Sequence, residues 1–544
     1  MDLAAQRRFG EIVAGRVHEA RRDLLPRLFA KDPTLWVSGE RERREVVDRL
    51  GWLDLPVSMA AHCDALDRFA ADARAAGFRR VVLMGMGGSS LAPDVLARML
   101  GTAPGALALT VLDTTDPAAV LAAEAGGELA RTLFVVSSKS GGTVEPNALA
   151  AYFLERTGGN GAQFVAITDP GSSLAALGAS RGFRHVFLNP PDVGGRYSAL
   201  SLFGLVPAAL IGADVRRLLA GARRSREECR GGDGAAAQRV ARLAATMATG
   251  VEHGRDRLTF LMPEAYEPFG SWAEQLVAES TGKGGTGVLP VVGEARLAPT
   301  GYGADRVFVA VWPPREGGGP DEAALAALAK AGHPTVALPF APATDLGAAF
   351  FEWEVATALA GVWLKVNPFD QPNVAESKAN TDAVLARMAR GEVPASGDAG
   401  VGGLAARIGT WLGGVRAGDY VAVLAYLAPT PAHDAFLRRL AATVGRATRA
   451  PVTVGYGPRF LHSTGQLHKG GPATGAFLQI ETEDERDVAV PGAGYTFGRL
   501  KLAQALGDLE ALTSRGRNVL RVRVAPRDLP ALESALSAAA PRSP

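Results

Sequence analysis

Cysteine is nearly absent from this chain: two thiols, Cys63 and Cys229, among 544 residues exclude a disulfide framework and read as reduced structural thiols in a reducing cytoplasm. Long apolar runs are missing too. No window approaches the roughly 20 apolar residues of a membrane span, and Met1-Asp-Leu-Ala-Ala-Gln-Arg-Arg puts charge where a signal peptide needs an apolar stretch. Neither sign of charge dominates, with 58 Lys and Arg against 56 Asp and Glu, so no overall field favours nucleic acid or an anionic membrane, and any anion chemistry must be local. Short-period repeats are absent. What is present, 47% hydrophobic and 21% charged residues, is the composition of an ordinary globular protein. Its length exceeds that of a single core, so two or three domains are expected.

From residue 79 short apolar runs alternate with amphipathic stretches: Val81-Val-Leu-Met, Leu107-Ala-Leu-Thr-Val-Leu, Leu133-Phe-Val-Val, Phe164-Val-Ala-Ile and His185-Val-Phe-Leu. Five strands with helical crossovers predict a parallel, doubly wound α/β domain, whose ligands bind beyond the carboxyl ends of the strands. A charged, Gly-rich connection around Arg223 to Ala237, after one helical segment and before another, precedes a second set: Leu258-Thr-Phe-Leu-Met, Val288-Leu-Pro-Val-Val, Val307-Phe-Val-Ala-Val-Trp and Thr335-Val-Ala-Leu, then a packed helix over Leu346 to Leu364. Past a flexible boundary at Gly397-Asp-Ala-Gly-Val-Gly-Gly come Tyr420-Val-Ala-Val-Leu-Ala-Tyr-Leu, a basic amphipathic helix, Val452-Thr-Val-Gly, Phe477-Leu-Gln-Ile and Val519-Leu-Arg-Val-Arg-Val. The expected organisation is a helical packing segment (1–75), two α/β domains (76–235 and 236–395) and an α+β extension (396–544).

The loops after the strands carry the polar chemistry. Gly85-Met-Gly-Gly-Ser-Ser links the first strand to a helix, where glycines permit a tight turn and backbone N–H groups face the crevice, an anion-binding arrangement. A dinucleotide fingerprint is similar, with Asp113 ending the next strand, but Ser90 stands where its third glycine belongs. The third strand ends in Ser137-Ser-Lys-Ser-Gly-Gly-Thr-Val-Glu, whose hydroxyls at Ser138, Ser140 and Thr143 can surround one phosphate; a dinucleotide site has no need of this second cradle. Gly194-Gly-Arg-Tyr-Ser puts the permanently charged Arg196 on the same rim, suited to a developing oxyanion. In Glu274-Gln-Leu-Val-Ala-Glu-Ser-Thr-Gly-Lys, Gln275 and Glu279 share a helical face, and the carboxylate is either a base or a helix-end charge.

Together these motifs closely resemble the phosphoglucose isomerase family, in the family's order from about Arg79 to about Asn380, with Asn367-Pro-Phe-Asp-Gln-Pro-Asn-Val-Ala-Glu-Ser-Lys similar to its lysine signature. The resemblance implies two doubly wound sugar-isomerase domains and an aldose–ketose exchange on glucose 6-phosphate and fructose 6-phosphate that requires no metal or redox cofactor. It implies that Ser89, Ser138, Ser140 and Thr143 bind the phosphate, with Gly88 and Lys139 alongside. It further implies that Glu279 is the base, Arg196 the enediolate's counter-charge, Lys378 an aid to ring opening, and Gln275 and Gln371 the lining of the sugar site. Those types suit the chemistry, which needs a base that takes a carbon-bound proton and hands it back beside a fixed positive charge.

One departure stands out. The family's active-site histidine, which reaches the site from the other subunit, has no match between Glu279 and Gly332, and His333 lies in a different context. The tail Gly457-Pro-Arg-Phe-Leu-His-Ser-Thr-Gly-Gln-Leu-His-Lys-Gly-Gly-Pro resembles that of the isomerase portion of fused transaldolase/glucose-6-phosphate isomerases, without the transaldolase barrel. It offers His462 and His468, whose six-residue spacing is no usual metal pair. The expectation is a cytoplasmic homodimer whose site is completed by a tail histidine. Two rival readings are a catalytically silent sugar-phosphate sensor and a nucleotide-dependent oxidoreductase.

Overall fold

The computed structural model describes residues 3–314, 319–392 and 402–539, with the side chains of 373–378 outside that description. The first sheet contains β1 (Arg80–Gly85), β2 (Ala108–Leu112), β3 (Thr132–Ser137), β4 (Phe164–Thr168) and β5 (His185–Leu188), all parallel, in the order β2-β1-β3-β4-β5. The Val, Leu, Ile and Phe runs of β3 and β4 are buried along their whole length, because helices cover both faces. The edge strands β2 and β5 are partly exposed. The strand order reverses between β1 and β3, and their register pairs Gly85 with Ser137. The two hydroxyl-rich turns that follow these strands therefore stand side by side at the switch point, where doubly wound sheets bind ligands.

The second sheet, β6 (Arg257–Leu261), β7 (Leu289–Val291), β8 (Arg306–Ala310) and β9 (Thr335–Ala337), is parallel in the order β7-β6-β8-β9. Helix Glu267–Thr281 links β6 to β7, and helix Pro342–Leu364 follows β9. The connection expected over Arg223 to Ala237 is almost all helix: Val215–Gly231 and Gly234–Glu252 leave only Gly232-Asp233 between them. Gly232 turns the chain at φ +68, and a Cβ there would lie 2.3 Å from the Arg21 carbonyl.

The third sheet, β10 (Tyr420–Tyr426), β11 (Val452–Tyr456), β12 (Gly475–Thr482) and β13 (Asn518–Val524), corrects the α+β expectation for the C-terminal extension. All four strands are parallel, in the order β11-β10-β12-β13. Helix Pro431–Thr448 carries the chain from β10 to β11 and helix Phe497–Thr513 carries it from β12 to β13; each crossover returns the next strand in the same direction. Most of the boundary expected at Gly397 to Gly403 lies outside the described residues.

The N-terminal segment is helical, as anticipated, and packs beneath the site. Trp52, fully buried, stacks on Tyr197 at 5.0 Å, and the Gly51 N–H donates to the Asp192 carbonyl at 2.9 Å. The turn carrying Arg196 thus rests on residues from the first tenth of the chain. Among the described residues no helix is long and apolar enough to cross a membrane.

Candidate active site

Four segments meet beyond β1. A Cβ on Gly87 (φ +55) would lie 2.6 Å from Gln275 Nε2 and 3.0 Å from the His462 carbonyl, and one on Gly88 would lie 1.8 Å from the Gly195 carbonyl. Glycine is required at both positions because the backbone of the arginine turn, the glutamine side chain and a loop of the third sheet's chain all approach this turn closely. Beside it, the Ser138 hydroxyl donates to Thr143 Oγ1 at 3.2 Å and Ser140 Oγ accepts the Gly142 N–H at 3.2 Å. Thr143 opens helix Val144–Arg156 without a side-chain cap, so its hydroxyl does not occupy the first-turn N–H groups. Lys139 is turned away: its ammonium pairs with Asp169 and donates to the Pro191 carbonyl at 2.8 Å.

Arg196 is 4% exposed and its guanidinium is fully engaged. Nε donates to Ser280 Oγ at 2.9 Å, Nη2 to the carbonyls of Pro368 at 2.6 Å and Asp370 at 2.7 Å, and Nη1 to Gln371 Oε1 at 3.0 Å. Nη1 also lies 3.3 Å from Glu279 Oε1. The other carboxylate oxygen, Oε2, accepts from Gln275 Nε2 at 3.1 Å, one helical turn away. Gln275 Oε1 is buried with no partner among the described residues, an acceptor suited to a sugar hydroxyl. Lys283 donates to the Asn367 carbonyl and, at 2.7 Å, to that of Asp370, with the Asp370 carboxylate 2.6 Å away. Burial and then the neighbouring Arg196 push Lys283 down to about 7, against the pull of Asp370. Lys378 belongs to helix Pro372–Ala389, but its side chain lies outside the described residues.

The three histidines part company. His462 Nε2 lies 2.9 Å from Glu145 Oε1 in the first turn of the helix after the hydroxyl loop, while its carbonyl accepts from Gln275 Nε2 at 2.7 Å. One amide thus joins the histidine's backbone to Glu279. His333 lies apart, its Nε2 3.1 Å from the Pro299 carbonyl and its ring against Phe308 at 5.1 Å. His468 instead turns its ring toward aromatic residues of β10 and β12. It is 2% exposed among Tyr420, Phe460 and Phe477, with neither ring nitrogen hydrogen-bonded among the described residues.

Burial, and then the charges of Lys469 and Arg517, lower His468 from 6.5 to about 3. Between those values the unfolded chain holds a proton that the folded chain does not, so stability is full above pH 6.5 and falls as the pH drops toward 3. At pH 5 this group alone costs about 2 kcal/mol. In urea unfolding, His468→Leu is expected to lose about 2 kcal/mol less than the parent between pH 7.5 and pH 5.0; equal losses would refute the buried-neutral assignment.

Asp113, the acid that a dinucleotide site would turn toward a ribose, is 7% exposed and already engaged by Ser90 Oγ at 3.1 Å and Arg459 Nε at 2.8 Å. The sequence reading passed over Glu145, Lys283 and Gln504. Glu145 had a local signal, directly following the hydroxyl loop in a helix's first turn, whereas Gln504 had none.

Residues 68–286 match the family model described as phosphoglucose isomerase. Over 428 residues the chain is 32% identical to the glucose-6-phosphate isomerase of Rubrobacter xylanophilus, covering 69% of this chain and 96% of that one. The glucose-6-phosphate isomerase of Citrifermentans bemidjiense is 37% identical over 217 residues, which span 38% of this chain and 40% of its own. Among solved structures, a hypothetical protein from Thermus thermophilus matches with a TM-score of 0.57 at 29% identity, covering 70% of this chain and 97% of that one. A glucose-6-phosphate isomerase from Chlamydia trachomatis shares the fold with a TM-score of 0.52 at 19% identity, over 72% and 88% of the two chains. The sequence, the parallel sheets and the shared length with the Rubrobacter enzyme make this chain a member of the phosphoglucose isomerase family.

Proposed function

We propose that this enzyme interconverts glucose 6-phosphate and fructose 6-phosphate by moving one proton between C2 and C1 through an enediolate. The observation that carries the reading is the meeting of Glu279, Gln275, Arg196 and His462 beside two adjacent hydroxyl turns. The Gly88-Ser89 turn with Ser138, Ser140 and Thr143 grips the phosphate. Gln275 and Gln371 meet the sugar hydroxyls, and Lys139 steadies the phosphate loop through Asp169. Glu279 takes the proton from one carbon and returns it to the other, while Arg196 exchanges one of its protein acceptors for the oxyanion. His462, with Nε2–H held by Glu145, presents the Nδ1 lone pair to the anomeric hydroxyl and takes its proton as the bond from the anomeric carbon to the ring oxygen breaks, while Lys378 gives a proton to that oxygen. The same reading takes the enzyme as a cytoplasmic homodimer without a metal or redox cofactor, each crevice holding a histidine of its own chain. The loop Gly457–Pro472 supports kinship with the isomerase portion of fused transaldolase/glucose-6-phosphate isomerases.

A dehydrogenase-coupled assay from fructose 6-phosphate, run with excess chelator, tests the reaction and the cofactor together. Full activity is expected; no turnover with or without chelator would end the proposal. Ser138→Ala removes one donor to the phosphate, so KM is expected to rise about tenfold with kcat nearly unchanged. An unaltered KM would place the phosphate elsewhere.

A further inference from the structure

Two side chains from the third sheet's part of the chain converge on one carboxylate oxygen of the first. Glu145 Oε1 receives His462 Nε2 at 2.9 Å and Gln504 Nε2 at 2.7 Å. His462 follows β11, whereas Gln504 lies on helix Phe497–Thr513 between β12 and β13. The far end of the amide is fixed as well: Gln504 Oε1 accepts from Thr115 Oγ1 at 2.7 Å, in the loop after β2. A hydroxyl donating to Oε1 leaves only the NH2 group to face the carboxylate, so the amide's orientation follows from its partners. Thr115, Glu145 and Gln504 are all buried, and water cannot replace a missing donor without entering a closed space.

We infer that Gln504 is a positioning residue for catalysis: held by Thr115, it fixes the Glu145 carboxylate that in turn sets the plane and tautomer of the His462 ring. The inference rests on the proposed ring-opening role of His462. Nδ1 of that ring has no partner among the described residues, and its aim depends on where Glu145 holds Nε2. If the clamp is lost, Glu145 Oε1 loses one of its two described donors and the ring it holds is less sharply aimed, while the phosphate turns and Glu279 stay in place. The step that suffers is ring opening, not binding.

Four enzymes test this in the coupled assay: the parent, Gln504→Leu, His462→Ala and the double variant. Gln504→Leu is expected to lower kcat about tenfold, the rate equivalent of one hydrogen bond to a charged group, with KM within about twofold. In the His462→Ala background the same change is expected to have no further effect, because the residue it acts through is gone. An equal loss in both backgrounds, or none in the parent, overturns the positioning role while leaving that of His462 intact. An unchanged kcat in His462→Ala alone overturns the histidine's role and the inference with it. Should Gln504→Leu fail to fold, the cycle is run with Thr115→Val, which frees the amide at constant bulk; the same lack of additivity is expected, and additive losses refute the inference.

Discussion

Glu279→Gln is expected to lower kcat about a thousandfold, within the range assigned to a positioned general base. The amide fits the same space, but its nitrogen cannot take a proton from carbon. It also has one acceptor where the carboxylate has two, so either Arg196 Nη1 at 3.3 Å or Gln275 Nε2 at 3.1 Å will face an NH2 group. The hydroxyl turns proposed to grip the phosphate lie on other loops, so inhibition by 6-phosphogluconate should persist at nearly the parent's concentration. A variant keeping more than about a tenth of the parent kcat, a loss under roughly 1.4 kcal/mol, would remove Glu279 from the role of base.

Arg196→Lys is expected to lower kcat by about 100-fold to 1000-fold, the range found when one oxyanion donor is removed. The charge survives but the fork does not. Arg196 reaches Ser280, Pro368, Asp370 and Gln371 at once, whereas an ammonium has three donors on a flexible stem and must leave at least one of these acceptors without its donor. Amide exchange should accelerate across residues 367–371. A kcat within tenfold of the parent, with unchanged exchange, would show that charge alone suffices.

The strands were legible because inner strands covered on both faces, such as β3 and β4, read as apolar runs, while the edge strand β13 alternates apolar and polar residues. The direction of pairing was less so. Val452-Thr-Val-Gly and its neighbours fit a parallel or an antiparallel sheet equally well, and the crossover helices decided between them. The charged stretch from Arg223 to Ala237 was read as a connection between two helical segments, yet both helices run on into it, with Ser225 and Cys229 buried on the first and Ala236 and Ala237 on the second; charge on the exposed face masked a narrow buried stripe. In the site, Arg196, Gln275, Glu279 and the hydroxyl loop stand in compact local patterns, and the fold brings them together. Glu145 and Gln504, 359 positions apart, meet only after the third sheet has folded onto the first. His462 and His468 looked equivalent in a polar loop. Their difference is tertiary, since one ring points to a carboxylate and the other enters an aromatic pocket.

The segment from Asn367 to Gln371 acts as a solvent for the site. Its carbonyls surround two buried cations, Arg196 and Lys283, in the place where water would otherwise orient around them. Water around an ion must reorient each time charge moves, and that reorientation costs free energy during the reaction. Main-chain dipoles tied down by two side chains have already been oriented by folding, so a negative charge forming on the sugar meets a field that needs little adjustment. The cost of arranging that field falls on the stability of the folded chain, and the chemical step is relieved of it.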